Sequence, residues 1–159
     1  MEITISKTNK NISQKEISNL ENDLNIKIPL NMKTFLLEYN GGKPEPNDVE
    51  IKETNSIAEI REFYCIEKIK KFKNEYSKRI TEAMLPFAED SCGNLFCVET
   101  ETGLGGVYFW DHEYEENEGV TPTGRNEKLI AEDFNKFLFS IKKFDPDSVQ
   151  LDWDAVIED

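Results

Sequence analysis

Two short runs of aromatic and β-branched residues, Leu95-Phe96-Cys97-Val98 and Val107-Tyr108-Phe109-Trp110, flank a break at Gly103-Leu104-Gly105-Gly106. Such runs on either side of a glycine-rich break predict two antiparallel strands and their loop. Upstream, Leu85-Pro86-Phe87-Ala88 predicts a third strand. Its proline suits an edge, or a strand's first residues, better than a ladder interior. Ser91-Cys92-Gly93-Asn94 supplies the turn between them, since Gly and Asn tolerate positive φ. This meander is expected at the centre of the sheet, with helices packed on it.

Around it the spacing changes from two to between three and four. Ser13-Gln14-Lys15-Glu16 is a helix start in which a serine cap accepts from the backbone N–H three residues on. Ile17, Leu20 and Leu24 then share one face, so a first helix should end near Leu24. Pro29 is acceptable at a first helical position. Met32, Phe35, Leu36 and Tyr39 form the stripe of a second helix, ended by Asn40-Gly41-Gly42 in left-handed conformations. Lys43 to Asp48, with two prolines, reads as loop. Val49–Thr54 and Ile60–Tyr64 are strand candidates, and Glu2–Ile5 alternates as a short first strand would. Ile66, Ile69, Phe72, Tyr76 and Ile80 keep helical spacing. That helix carries the main basic cluster, Lys68, Lys70, Lys71, Lys73, Lys78 and Arg79, which reads as a solvated face. Gly119–Asn126 continues as loop. Ala131, Phe134, Phe137, Leu138 and Ile141 mark a last helix, stopped at Phe144-Asp145-Pro146 because the residue before proline resists the α region. Mixed strands and helices of this kind predict an α+β fold: a central, mainly antiparallel sheet with N-terminal, middle and C-terminal helices against it.

At 159 residues the expectation is one domain over the whole chain, 1–159. The segment 145–159 holds six acidic residues and no basic one. It also has Val149, Leu151, Trp153, Val156 and Ile157, so part of it is expected to pack on the body. The net charge of −13 argues against nucleic acid as a direct partner, because phosphate contacts need clustered Lys and Arg. It suits a basic partner, which a field of this sign attracts and orients. No segment approaches the ~20 apolar residues of a membrane span, and the start lacks the apolar run of a signal peptide. The expected location is the cytoplasm, with no membrane contact.

Catalytic signatures are sparse. Cys65, Cys92 and Cys97 are odd in number and without a CxxC, so neither a disulfide framework nor a zinc site is indicated. The one histidine, His112, lies between Asp111 and Glu113. Neighbours on a strand point to opposite faces, so the three do not converge on a metal. A Cys–His pair with Cys92 or Cys97 is weak, since free cysteine is usually a small buried apolar residue. Gly103–Gly106 lacks the Lys-Ser/Thr of a phosphate-binding loop. No catalytic residue, metal or cofactor is therefore expected, and a binding protein is favoured over an enzyme using carboxylate pairs. Asp111 to Glu118 carries five carboxylates beside Trp110, and Asp152 and Asp154 flank Trp153. Aromatics ringed by acids can anchor a basic partner.

Four pieces in order carry a resemblance: Ile12–Pro29, the helix ending in Asn40-Gly41-Gly42, Leu85–Glu99 joined to Gly105–Glu113, and Ile130–Ile141. Together they resemble the SUKH superfamily, named partly for fungal cell-wall assembly regulators of the Smi/Knr type. The resemblance implies an α+β fold and no catalytic residues. It also implies one of two roles. Most bacterial members resemble immunity proteins that hold a toxin domain, often a nuclease or deaminase, inactive in the producing cell. Fungal members act as regulatory scaffolds. The leading expectation is a cytoplasmic bacterial immunity protein for a basic toxin domain, a nuclease first. The alternative is a non-catalytic scaffold with a host partner. The expected contact patch is Trp110, Asp111, Glu113, Glu115, Glu116 and Glu118, with Asp152 and Asp154 as second choices.

Overall fold

The computed structural model describes residues 3–6 and 9–145. Its elements are β1 (Thr4–Ser6), α1 (Gln14–Leu24), α2 (Leu30–Glu38), β2 (Lys43–Glu45), β3 (Asp48–Ile51), β4 (Ser56–Phe63), α3 (Ile66–Glu75), β5 (Met84–Asp90), β6 (Leu95–Glu99), β7 (Val107–Trp110), β8 (Glu127–Ala131) and α4 (Phe134–Ser140). Six strands form one antiparallel sheet in the order β3-β4-β5-β6-β7-β8, and β1 pairs with β2 in a second, small sheet. The architecture is α+β, and the predicted meander β5-β6-β7 lies within the larger sheet.

Register follows the apolar pattern. Phe96 faces Phe109 and Leu95 faces Trp110 across the central hairpin, so each pair points to one side of the sheet. On the first side Phe87 meets Phe134 and Phe137 of α4 at 5.2 and 5.4 Å between ring centres, and Phe35 of α2 meets Phe63 and Phe134. On the second side α3 covers the sheet, and Tyr76, just past its end, meets Trp110 edge-on at 5.5 Å. The Ser13 hydroxyl accepts from the Glu16 N–H at 3.2 Å, the expected cap of α1. Asn25, at φ 53°, closes that helix.

Several expectations are corrected. Pro86 is the third residue of β5, an interior strand, at a point where only β6 pairs with it. It is tolerated because β5 bulges between Pro86 and Ala88, and because the last β4 pair, Phe63 with Ala88, falls beyond it. Lys43–Glu45 is strand rather than loop, paired to β1. Glu127–Ala131 is an edge strand, so Ala131 belongs to β8, and α4 starts only after Asp133, whose carboxylate accepts from Lys136 N at 2.8 Å. The helix stops at Ser140, six residues before Pro146, because Lys142 is drawn into a bridge with Asp48. Gly41 and Gly42 do not close α2, which ends on an extended Tyr39. They let the backbone approach other strands: a Cβ on Gly41 would lie 2.7 Å from Cys65 N, and one on Gly42 2.1 Å from the Ser6 carbonyl oxygen. Most of the acidic C-terminal segment, with Asp152, Trp153 and Asp154, lies outside the described residues.

Candidate partner-binding cleft

After β7 the chain leaves the sheet at Asp111 and returns as β8 at Glu127. The neck of this loop is closed by reciprocal bonds. Asp111 N–H donates to the Asn126 carbonyl at 3.0 Å, and the Asn126 side chain donates to the Asp111 carbonyl at 2.8 Å. The Asp111 carboxylate caps a single 3-10 turn, His112–Tyr114, accepting from Glu113 N at 3.1 Å, and lies 3.7 Å from the Lys128 ammonium. His112 N–H donates to the Asn94 side chain. Asn94 is in turn held, with the turn after β5, by the buried carboxylate of Asp90.

Further out, two arginines grip the loop. Arg79 makes a two-pronged pair with Glu115, at 2.7 and 3.0 Å, while its guanidinium lies 4.5 Å from the Tyr76 ring centre and 5.4 Å from that of Trp110. Hydrogen bonding to Glu115 raises the Arg79 pKa further above its ordinary value. Arg125 donates to the carbonyls of Tyr114 and Glu115 at 2.9 Å each. Glu116 accepts from the Thr123 hydroxyl at 2.6 Å and from its N–H, and these bonds hold its carboxyl below the usual carboxylate range.

Between the loop and the end of α3 lies a cleft of about 1170 Å³. Asn74, Lys78, Arg79, Glu115, Glu118 and Val120 are among the residues lining it. Its walls are of both charges, and Val120 is half exposed.

The expected patch thus divides. Trp110 is corrected: its ring is fully buried between β6, Tyr76 and Arg79 and offers no anchor to a partner. Its indole N–H has no acceptor among the described residues. Asp111, Glu115 and Glu116 are engaged inside the loop, while Glu113 and Glu118 are exposed and carry no ion pair among the described residues. Asp152 and Asp154 are outside the described residues. Sequence reasoning missed Arg79, Thr123 and Arg125. Arg79 reaches Glu115 across 36 positions, and no periodicity reports a pair at that separation. The basic face of α3 is more than solvated. Lys68 pairs with Glu62, Lys70 with Asp23 at 3.0 Å, and Lys73 donates to the carbonyls of Glu82 and Met84 at 2.7 Å each.

Of the three cysteines, Cys65 and Cys97 are buried and Cys92, in the turn after β5, is exposed. Cys97 is fully buried and its thiol is pushed up by desolvation, as is that of Cys65. Among the described residues no group of three or more His, Cys, Asp and Glu is placed to hold a metal, and no helix is long and apolar enough to cross a membrane.

The sequence model of the SMI1 / KNR4 family (SUKH-1) matches residues 11–140. The chain belongs to the SMI1/KNR4 (SUKH-1) family. The match takes in the whole cleft, both arginines and the loop, so the site is built within the SUKH-1 domain. The chain is also 23% identical, over 150 residues, to the SPbeta prophage-derived uncharacterized protein YokK of Bacillus subtilis (strain 168), with 81% of this chain and 74% of that protein covered.

Proposed function

We propose that this SUKH-1 protein is a non-catalytic immunity protein that binds a toxin domain through the loop Asp111–Asn126 and the adjoining cleft. Family membership supports the class, since SUKH proteins are generally immunity proteins. The name of the prophage relative is compatible with a mobile-element setting. The observation that carries the choice of surface is the state of its carboxylates. Asp111, Glu115 and Glu116 brace the loop, and Glu113 and Glu118 are left to face a partner.

The partner is a basic domain, with a nuclease the leading class. Nucleases hold phosphates in clefts lined with cations, and an acidic loop competes for such a cleft. With a net charge of −13, the whole chain draws a cationic partner in and speeds encounter at low salt. Binding in the cytoplasm of the producing cell would hold the toxin inactive.

The test is affinity purification of the tagged protein from its own cells, with mass spectrometry of what accompanies it. The expected companion is a multidomain protein ending in a small basic domain, whose expression arrests growth unless this chain is co-expressed. Recovery of only kinases or cell-envelope machinery would replace this reading with the scaffold one. With the companion in hand, Glu113→Ser with Glu118→Ser should slow association and flatten its salt dependence. Unchanged kinetics would remove the loop from the account.

A further inference from the structure

Of the large apolar side chains left exposed among the described residues, only Tyr114 and Val120 lie on the loop between β7 and β8. One exposed ring is ordinary on a protein surface. What sets Tyr114 apart is how firmly it is held. It is the last residue of the 3-10 turn His112–Tyr114. Its N–H donates to the Asp111 carbonyl at 3.2 Å, and its own carbonyl accepts from Arg125 Nε at 2.9 Å. The Lys128 ammonium lies 5.1 Å from the ring centre, and that ammonium is itself 3.7 Å from the Asp111 carboxylate. Backbone and ring are thus fixed from the turn, from Arg125 and from β8, while Tyr114 stays 57% exposed. An aromatic side chain already ordered before contact loses little conformational freedom on binding.

The charges around it also divide. The Asp111 carboxylate is matched by Lys128 and that of Glu115 by Arg79. Glu113, next to Tyr114 in the chain, is exposed and carries no ion pair among the described residues, as is Glu118 further along the loop. A partner that covered this surface with apolar groups would leave Glu113 desolvated and unpaired, which is costly. A second copy of the chain would bring its own Glu113, and a second net charge of −13, against the first. A cationic surface meets neither penalty.

Resting on the reading of this loop as the surface that meets the toxin, we propose that Tyr114 is its anchor. The ring enters a pocket on the basic domain, and Glu113 and Glu118 meet cations at the rim of that pocket. Rim charges act mainly on association, and a buried aromatic acts mainly on dissociation. The loop therefore carries two separable functions: the carboxylates bring the partner in, and Tyr114 keeps it. Tyr114 is not among the residues lining the cleft, so the anchor is placed on the loop beside the cleft rather than inside it.

The experiment starts with p-benzoylphenylalanine, a photo-crosslinking residue, placed singly at Tyr114, Leu30 or Phe139 of the full chain in its own cells. Leu30 and Phe139 are exposed apolar controls on α2 and α4. Light should join Tyr114, and neither control, to the basic domain of a larger protein, identified by mass spectrometry of the adduct. With that domain purified, Tyr114→Ala should speed dissociation at least about 30-fold, the scale of an interface hot spot. It should leave the salt dependence of association and the urea midpoint unchanged. Val120→Ala, in the cleft, should change dissociation by less than about fivefold. Absence of an adduct at Tyr114, or adducts at Leu30 or Phe139 alone, overturns the proposal. So does a dissociation rate that Tyr114→Ala leaves intact or that Val120→Ala raises equally. If Glu113→Ser with Glu118→Ser still slows association in that case, the loop remains the interface and only the anchor fails. An adduct at Tyr114 with a protein that has no basic domain overturns both the proposal and the toxin reading.

Discussion

The two faces of the sheet are filled by different chemistry. On one side the rings are mostly phenylalanine: Phe35, Phe63, Phe87, Phe96, Phe109, Phe134 and Phe137 meet one another, with Tyr39 against Phe35. On the other they are Tyr64, Phe72, Tyr76 and Trp110, and cations lie among them, with Arg79 over Tyr76 and Lys73 under α3. The first face is held mainly by packing. The second must also satisfy charges and carbonyls, and through Arg79 it holds the loop that lines the cleft. Stability is concentrated on the first face, and the geometry of the candidate site depends on the second.

The hardest blow to this contrast would be Phe137→Ala. Phe137 is fully buried and touches Phe87, Phe96 and Phe134. A cavity there should cost about 3–5 kcal/mol, read as a lower urea midpoint with little change in slope. A loss under about 1 kcal/mol, the size of a surface change, would mean the phenylalanine face is not the core.

Lys73→Met probes the second face. Its ammonium serves two carbonyls, and desolvation lowers its pKa. Leaving those carbonyls without a donor should cost about 1–2 kcal/mol, clearly less than Phe137→Ala. The sign with pH is also set. A lysine whose folded pKa lies below its unfolded value resists charging in the fold, so stability should rise as pH climbs from the folded toward the unfolded pKa. Urea melts across alkaline pH should show that rise in the wild type and lose it in Lys73→Met.

Arg79→Met should barely move the melt. The pair with Glu115 is half exposed, and such pairs contribute at most about 1 kcal/mol. Its effect should appear in the loop instead, as faster hydrogen exchange at Tyr114, Glu115 and Val120. Glu115→Gln should do the same, and the two changes together should add little to either alone. Additive effects would mean that Arg79 and Glu115 do not act as a latch.

The same division explains what could be read without the fold. The meander β5-β6-β7 and the helices α1 and α2 were legible because each buries a stripe of large apolar residues at a fixed period. β8 was not, since an edge strand buries little. Its Glu127-Lys128-Leu129-Ile130-Ala131 alternates weakly, and Ala131 fell into the spacing of the helix that follows. β2 was hidden behind Pro44 and Pro46, whose pairing with β1 depends on Gly42 passing close to Ser6. At the site, the acidic loop stood out by composition, but its order did not. Trp110 beside carboxylates looks alike in sequence whether its ring points out or under Tyr76. The pairs Arg79–Glu115 and Thr81–Glu127 join segments that only the fold brings together.

The smallest effect expected is also the one most confined to the loop. Glu116 is held by the hydroxyl and N–H of Thr123, with Arg125 at 3.8 Å as a lesser contribution, and its pKa is lowered. A carboxyl depressed in the fold favours the folded loop above its unfolded pKa, and that contribution fades as pH falls through the folded value. A carbon-detected NMR titration should therefore place Glu116 below the ordinary glutamate value, and Thr123→Val should raise it toward that value. The global melt should stay level, because the bond lies at the surface and joins only two parts of one loop. If Glu116 titrates as an ordinary glutamate in the wild type, Thr123 does not hold it, and the division between carboxylates that brace the loop and those that face a partner fails.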